Sequence, residues 1–181
     1  ITVGDGTKGA YLYGAQFEEL SYATSLIPTY GTPRTRLQDS VNGAGTVSDF
    51  NDSEGVLFVE GSALTAQGTD RRISISDGTA ANRVFFYYAL NTNQISGIVV
   101  VGGVNQANIP IVGTQLLNSK MAVRYKANDI SLWVNGVKIG EVLSATTPIG
   151  LSELAFHGGD VNNPFFGKTS QVQVFNTALS D

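Results

Sequence analysis

The chain has no cysteine. That excludes disulfides, thiol chemistry and zinc–thiolate centres, and leaves the fold to be held by packing and hydrogen bonds. Basic residues are few and scattered, 11 Lys and Arg in 181 positions against 15 Asp and Glu, for a net charge of −4. Without a basic cluster the chain lacks the electrostatic footprint of a nucleic-acid binder. No apolar run approaches the roughly 20 residues of a membrane-spanning helix, so membrane insertion is not expected. Histidine, tryptophan and methionine occur once each, at His157, Trp133 and Met121. Charged residues make up only 14 % and hydrophobic ones 42 %, which describes a globular chain with an unusually neutral surface. Ile1 is not an initiator methionine, and the chain reads as a piece of something longer.

Glycine is abundant, with 21 residues. Polar turn clusters recur at short intervals, and strand-like runs lie between them: 10–18, 55–61, 71–76, 83–90, 95–102, 108–112, 120–126, 130–134, 137–142, 151–156 and 166–176. Strands this short with turns this frequent predict an all-β sandwich or jelly roll. No segment sustains a helical period. Residues 19–52, rich in Ser, Thr, Pro, Gly and Asn, read as an extended connector.

Ile130-Ser-Leu-Trp-Val-Asn-Gly-Val-Lys-Ile139 alternates apolar and polar residues on both sides of Asn135-Gly136, a pair that readily takes positive φ at both central positions of a type I′ turn. A hairpin is expected there, with Trp133 out of phase with Ile130, Leu132 and Val134. The same parity argument puts Ile73 and Ile75, Val84, Phe86 and Tyr88, Met121, Val123 and Tyr125, Leu154 and Phe156, and Val172 and Val174 on inward rows. The opposite phase carries Arg72, Phe85, Tyr87, Arg124, Trp133, His157 and Gln173. If their strands are neighbours, these side chains share one outer face. Trp133 and Tyr87 would then offer a stacking platform for sugar rings, with polar contacts from Arg72, Arg124, Gln173 and His157. The alternatives are that Trp133 is covered by a loop or neighbouring domain, or that it anchors a protein interface.

No residues are assigned to catalysis. There is no G-x-S-x-G nucleophile elbow and no phosphate-cradling glycine loop. A glycoside hydrolase needs two carboxylates flanking the scissile bond. Adjacent Glu18 and Glu19 would face opposite sides of a strand, and Glu54 and Glu60 are too far apart. Asp160, Asn162 and Asn163 supply hard oxygen ligands suited to Ca²⁺, but the same residues are common turn formers. Asn51-Asp52-Ser53 fits a glycosylation sequon, a match frequent by chance.

The stretch 120–140, from Met121-Ala-Val-Arg-Tyr125 to Leu132-Trp-Val-Asn-Gly136, resembles the hairpin of concanavalin A-like lectin/laminin-G domains. Glu54-Gly-Val-Leu-Phe-Val59 resembles their opening strand. The run Phe166 to Asp181, ending Asn176-Thr-Ala-Leu-Ser-Asp181, resembles their closing strand. This likeness covers 37–181 and implies a concanavalin A-like jelly-roll sandwich of two antiparallel sheets. Upstream, Tyr13-Gly-Ala-Gln-Phe-Glu-Glu19, Ser21-Tyr-Ala-Thr-Ser-Leu-Ile-Pro-Thr29 and Thr35-Arg36 resemble a signature of bacteriophage tail proteins and secreted bacterial proteins. It implies that 1–20 is the last strand of an upstream jelly-roll module or an added strand, and that 21–36 is a connector. The resemblance implies a non-catalytic glycan- or polysaccharide-binding module, extracellular or on a virion. The parent would be a phage tail or receptor-binding protein, or a secreted polysaccharide-processing protein. Neighbouring domains of a longer chain are its implied partners, and a homotrimer is implied if the parent is a tail fibre. The alternatives are a structural virion or spacer domain with no ligand of its own and, behind it, a glycoside hydrolase.

Overall fold

The structure, a computed structural model, describes residues 26–34, 41–63, 70–89, 92–113 and 117–180. The chain divides into two compact units, Ile1–Asp39 and Ser40–Asp181. In the first, Thr29 to Thr32 form a tight turn in which Tyr30 and Gly31 both have positive φ and Thr32 N–H donates to Thr29 O at 3.0 Å. The strand expected over 10–18 and the module end expected over 1–20 lie outside the described residues.

The second unit is an antiparallel sandwich with no helix among the described residues. Its strands are β1 (Glu54–Ala63), β2 (Arg71–Ser76), β3 (Arg83–Tyr88), β4 (Gln94–Val101), β5 (Val104–Val112), β6 (Ser119–Lys126), β7 (Ile130–Val134), β8 (Val137–Val142), β9 (Glu153–Ala155) and β10 (Gly167–Phe175). One sheet has the order β10-β1-β6-β7-β8 and the other β5-β4-β3-β2-β9. This is the expected all-β jelly-roll architecture. Asn135 and Gly136 have φ of 51° and 82°, as the turn chemistry requires.

Every inward row read from the alternation lies in or against one core. Ile73, Ile75, Val84, Phe86, Tyr88, Met121, Val123 and Tyr125 are at most 1 % exposed, and Leu154, Phe156, Val172 and Val174 pack against them. The two sheets touch where a strand carries no side chain. A Cβ built on Gly97 of β4 would lie 2.7 Å from Val123 Cγ2 and 3.1 Å from Leu132 Cδ1, across the core. Gly140 of β8 stands likewise against Ile109 of β5, with 2.9 Å left for a Cβ.

The segment before β1 is pinned at one end of the sandwich. Both Asp52 carboxylate oxygens accept backbone N–H groups, from Gly150 at 2.6 Å and Leu151 at 3.0 Å. The buried Tyr125 hydroxyl donates to Asn51 O at 2.8 Å. Asn51 Nδ2, the atom a glycan would occupy in the sequon, itself donates to Asn176 O at 2.8 Å. The sequon residues therefore serve this junction.

Gly97→Ala should destabilise the sandwich by about 1–3 kcal/mol through overpacking, despite the small entropic gain of replacing glycine. Denaturant unfolding checks this. A cost below about 0.5 kcal/mol would mean that the sheets have slack at this point.

Candidate functional site

The registers of the first sheet place outward side chains in transverse rows. Gln173 lies opposite Phe58, Phe58 opposite Ala122, Ala122 opposite Trp133, and Trp133 opposite Lys138. The next row runs Phe175, Val56, Arg124, Ser131 and Glu141. Trp133, Arg124 and Gln173, expected on an outer face, thus share this one.

Small residues among large ones leave a depression. Ala122 sits between Phe58 and Trp133, and a hollow of about 150 Å³ opens there, lined by Val56, Ala122, Arg124, Trp133, Leu179 and Ser180. Its walls are held. Trp133 is half-buried, and its Nε1–H donates to the buried Ser131 Oγ at 3.0 Å. Lys138 Nζ stands 5.3 Å from the indole centroid and 3.0 Å from Glu141 Oε2. Arg124 donates from Nη2 to Asp129 Oδ1 at 2.6 Å and from Nη1 to Leu179 O at 3.1 Å. The arginine stem is therefore a fixed wall of the hollow. Gln173 is exposed at the far end of its row.

Arg72 and Tyr87 are elsewhere. They belong to β2 and β3 of the second sheet and face outward from its far side, with the whole core between them and Trp133. The single platform of Trp133 and Tyr87 is corrected accordingly. Alternation tells inside from outside along a strand, and it carries no information on which sheet the strand joins.

On this second face the segment after β9 folds back over β2. The outward residues of β2 beyond Arg72 are Ser74 and Ser76, both fully buried, and their small side chains leave room for backbone. Ser74 Oγ donates to His157 O at 2.7 Å. A Cβ on Gly159 would lie 2.8 Å from Ser76 Cβ, so only glycine passes there. His157 is 5 % exposed, and its Nδ1 accepts the Gly159 N–H at 3.0 Å. Its expected place among the exposed sugar contacts is thus corrected: the imidazole braces the turn and is shut off from solvent.

Asp160, Asn162 and Asn163 do not fit a Ca²⁺ site. Asp160 Oδ1 accepts Asn162 N–H and Oδ2 accepts Asn162 Nδ2, both at 3.3 Å. Asn163 O accepts Arg72 N–H at 3.1 Å. Arg83 Nη1 lies 3.9 Å from Asp160 Oδ1, placing a cation beside the one carboxylate of the set. No group of three or more His, Cys, Asp or Glu side chains converges among the described residues. The turn-forming reading accounts for the bonds.

Residues that the alternation did not single out complete both faces. Val56 and Ala122 line the hollow, with Phe58 next to Ala122 in register, and a one-residue alanine between large outward neighbours was the available signal. Lys138 reaches Trp133 through a register shift between Leu132 and Trp133, which no local pattern announces. Arg83 opens β3 in phase with Tyr87, and its guanidinium lies 4.6 Å from the Phe85 centroid.

No protein-family model matches the sequence, and no curated protein does. Solved structures do share the fold. The CBM40 of the Ruminococcus gnavus IT-sialidase, bound to α2,3-sialyllactose, matches with TM-score 0.58 at 16 % identity over 80 % of this chain and 92 % of its own. The Caenorhabditis elegans galectin LEC-6 matches with TM-score 0.51 at 17 % identity over 76 % and 91 %. A leech intramolecular trans-sialidase matches with TM-score 0.57 at 15 % identity, over 80 % of this chain but 26 % of its own. At such identities the likeness establishes the lectin-like sandwich fold.

The turn Asp77–Asn82 beside this face gives a pH test. Burial raises the Asp77 pKa, but bonds from the Thr79 hydroxyl, the Asn82 amide and the Thr79 N–H outweigh it, leaving a net lowering. A depressed folded-state pKa contributes stability that is present above the unfolded value and lost as pH falls through the folded one. Asp77→Asn should therefore lower Tm slightly at pH 7, and the gap to wild type should narrow below about pH 4. Thermal scans from pH 7 to 2.5 measure it, and a gap constant with pH would refute the assignment.

Proposed function

We propose that Ser40–Asp181 is a non-catalytic carbohydrate-binding module whose ligand rests in the Trp133 hollow. The observation that carries this is the row Gln173–Phe58–Ala122–Trp133–Lys138, which sets an indole and a methyl floor between an amide and an ammonium. A sugar ring has a CH-rich face that packs on aromatic and apolar surface, and a rim of hydroxyls that bond to polar groups at either end. A concave, mostly apolar site with a few placed polar groups is the usual form of a small-ligand site. The carbohydrate-binding modules and galectins that share this fold support the reading.

Glu54 and Glu60 do not form a glycosidase pair. They are six residues apart on one strand, about 20 Å at ~3.3 Å per residue, whereas glycosidase pairs stand roughly 5–10 Å apart. Glu54 is paired with Lys126 at 3.1 Å, and Glu60 accepts Asn118 Nδ2 at 3.3 Å. The setting proposed for the module is extracellular or on a virion, in a phage tail or receptor-binding protein or a secreted polysaccharide-processing protein. A tail fibre would make it part of a homotrimer.

The rival reading is a structural spacer, in which the bond to Ser131 and the cover of Lys138 serve only to pack Trp133. Trp133 is the only tryptophan, so its emission reports on the hollow directly. Trp133→Ala should lose at least about tenfold in affinity, some 1.4 kcal/mol, for glycans captured on an array. The same glycans should shift wild-type tryptophan emission. Array binding unchanged by the substitution would move the site elsewhere, and no binding to any glycan would leave the spacer reading standing.

A further inference from the structure

The second sheet presents a pair of arginines that nothing in the Trp133 hollow uses. Arg72 and Arg83 approach the same Phe85 ring, with guanidinium carbons 5.4 Å and 4.6 Å from its centroid, and Arg72 also lies 5.5 Å from the Tyr87 centroid. The nearby like charge of Arg72, after burial itself, helps to lower the Arg83 pKa. Two cations are held together here on an aromatic bed.

Their donors are unequally spent. Arg83 Nη1 donates to Gly158 O and stands 3.9 Å from Asp160. No hydrogen bond or ion pair engages the Arg72 guanidinium among the described residues, and its Nε is buried without a partner, as is that of Arg83. A guanidinium carries five N–H donors in a planar fork, and an aromatic face accepts none of them in that plane. The carboxylates around the pair are committed. Asp77 accepts from Thr79 and Asn82, Asp160 accepts from Asn162, and Asp70 has a partner of its own. The buried backbone of Gly158 lies against the pair, where a Cβ would stand 3.0 Å from Arg72 Nη1 and 2.8 Å from Asp160 Oδ1, so the loop holds Arg72 from one side while Arg72 itself stays partly exposed.

We propose that Arg72, supported by Arg83 on the Phe85 ring, forms a second binding site that takes the carboxylate or sulfate of an acidic sugar. The planar fork of Arg72 matches the paired oxygens of such a group. The half-exposed Tyr87 ring beside it offers the sugar a surface to pack on. This site is independent of the Trp133 hollow.

The test titrates the full chain, followed by NMR or calorimetry, with glucose, glucuronate, glucose 6-sulfate and inorganic sulfate. The acidic sugars should bind at least tenfold tighter than glucose, and tighter than sulfate alone. Arg72→Gln should abolish that preference, Arg72→Lys should keep part of it, and Trp133→Ala should leave it intact. The lysine variant and a Tm for each protein separate loss of the site from loss of the fold. Equal binding of glucose and glucuronate, or a preference that survives Arg72→Gln in a folded protein, would overturn the site. Sulfate binding as tightly as glucose 6-sulfate would overturn the sugar assignment.

Discussion

The close approach of β4 to the β6–β7 pair at Gly97 fixes the geometry on which both candidate surfaces depend. With no cysteine in the chain, the relation between the sheets rests on the dry contact of their inner faces. At Gly97 that contact is backbone against Val123 and Leu132. These two residues are paired across β6 and β7, and the next pair along, Ala122 and Trp133, points outward to make the hollow. The hollow is thus the reverse side of a point where the two sheets meet closely. A binding surface gains precision when it stands on rigid strands whose rotamers are locked from behind, and β6 and β7 are locked by the opposing sheet.

Much of this fold was legible in the sequence because half-buried antiparallel strands alternate, and alternation survives without knowledge of the partner strand. Ile73, Val84, Phe86, Met121 and Val123 declare their inward side in this way, and Asn135-Gly136 declares its turn through the φ values it tolerates. The departures occur where pairing overrides the local pattern. β5 starts at Val104, ahead of the expected 108, because Val104 to Ala107 are carried into the ladder by β4 across a register shift at Val99 and Val100. β9 is shorter than expected, because the Leu151 N–H is taken by Asp52 and the ladder to β2 begins at Glu153. Gly97 gave no sign of its role, since the constraint on it comes from side chains of another sheet.

The candidate site was legible by residue and not by assembly. Each expected outward side chain on a strand does face outward, but Trp133, Arg124 and Gln173 fall on one sheet and Arg72 and Tyr87 on the other. The turn after β9 shows a second limit. His157, Asp160, Asn162 and Asn163 are residue types that bind ligands or metals, and in this loop they bind one another and the backbone. Gly159 N–H takes the imidazole, Asn162 takes the carboxylate, and Arg72 N–H takes the Asn163 carbonyl. A short loop laid over a sheet must satisfy its own donors and acceptors before it can offer any to a ligand.

The same accounting separates the two arginines that face outward on opposite sheets. Arg124 is joined to Asp129 and to the Leu179 carbonyl, so it shapes a wall. Arg72 lies against the Phe85 and Tyr87 rings, and no hydrogen bond or ion pair among the described residues engages its guanidinium, which leaves it able to take an acceptor. Packed sheets stand about 10 Å apart, and outward side chains add to that separation. A single sugar ring cannot touch both faces. A ligand that engaged both would have to be a chain long enough to pass around an edge of the sandwich, or would join two molecules through unlike faces. The neutral, CH-rich surface suited to the hollow and the anionic group suited to Arg72 are therefore independent requirements, and a polysaccharide that carries both along its length would gain from each face separately.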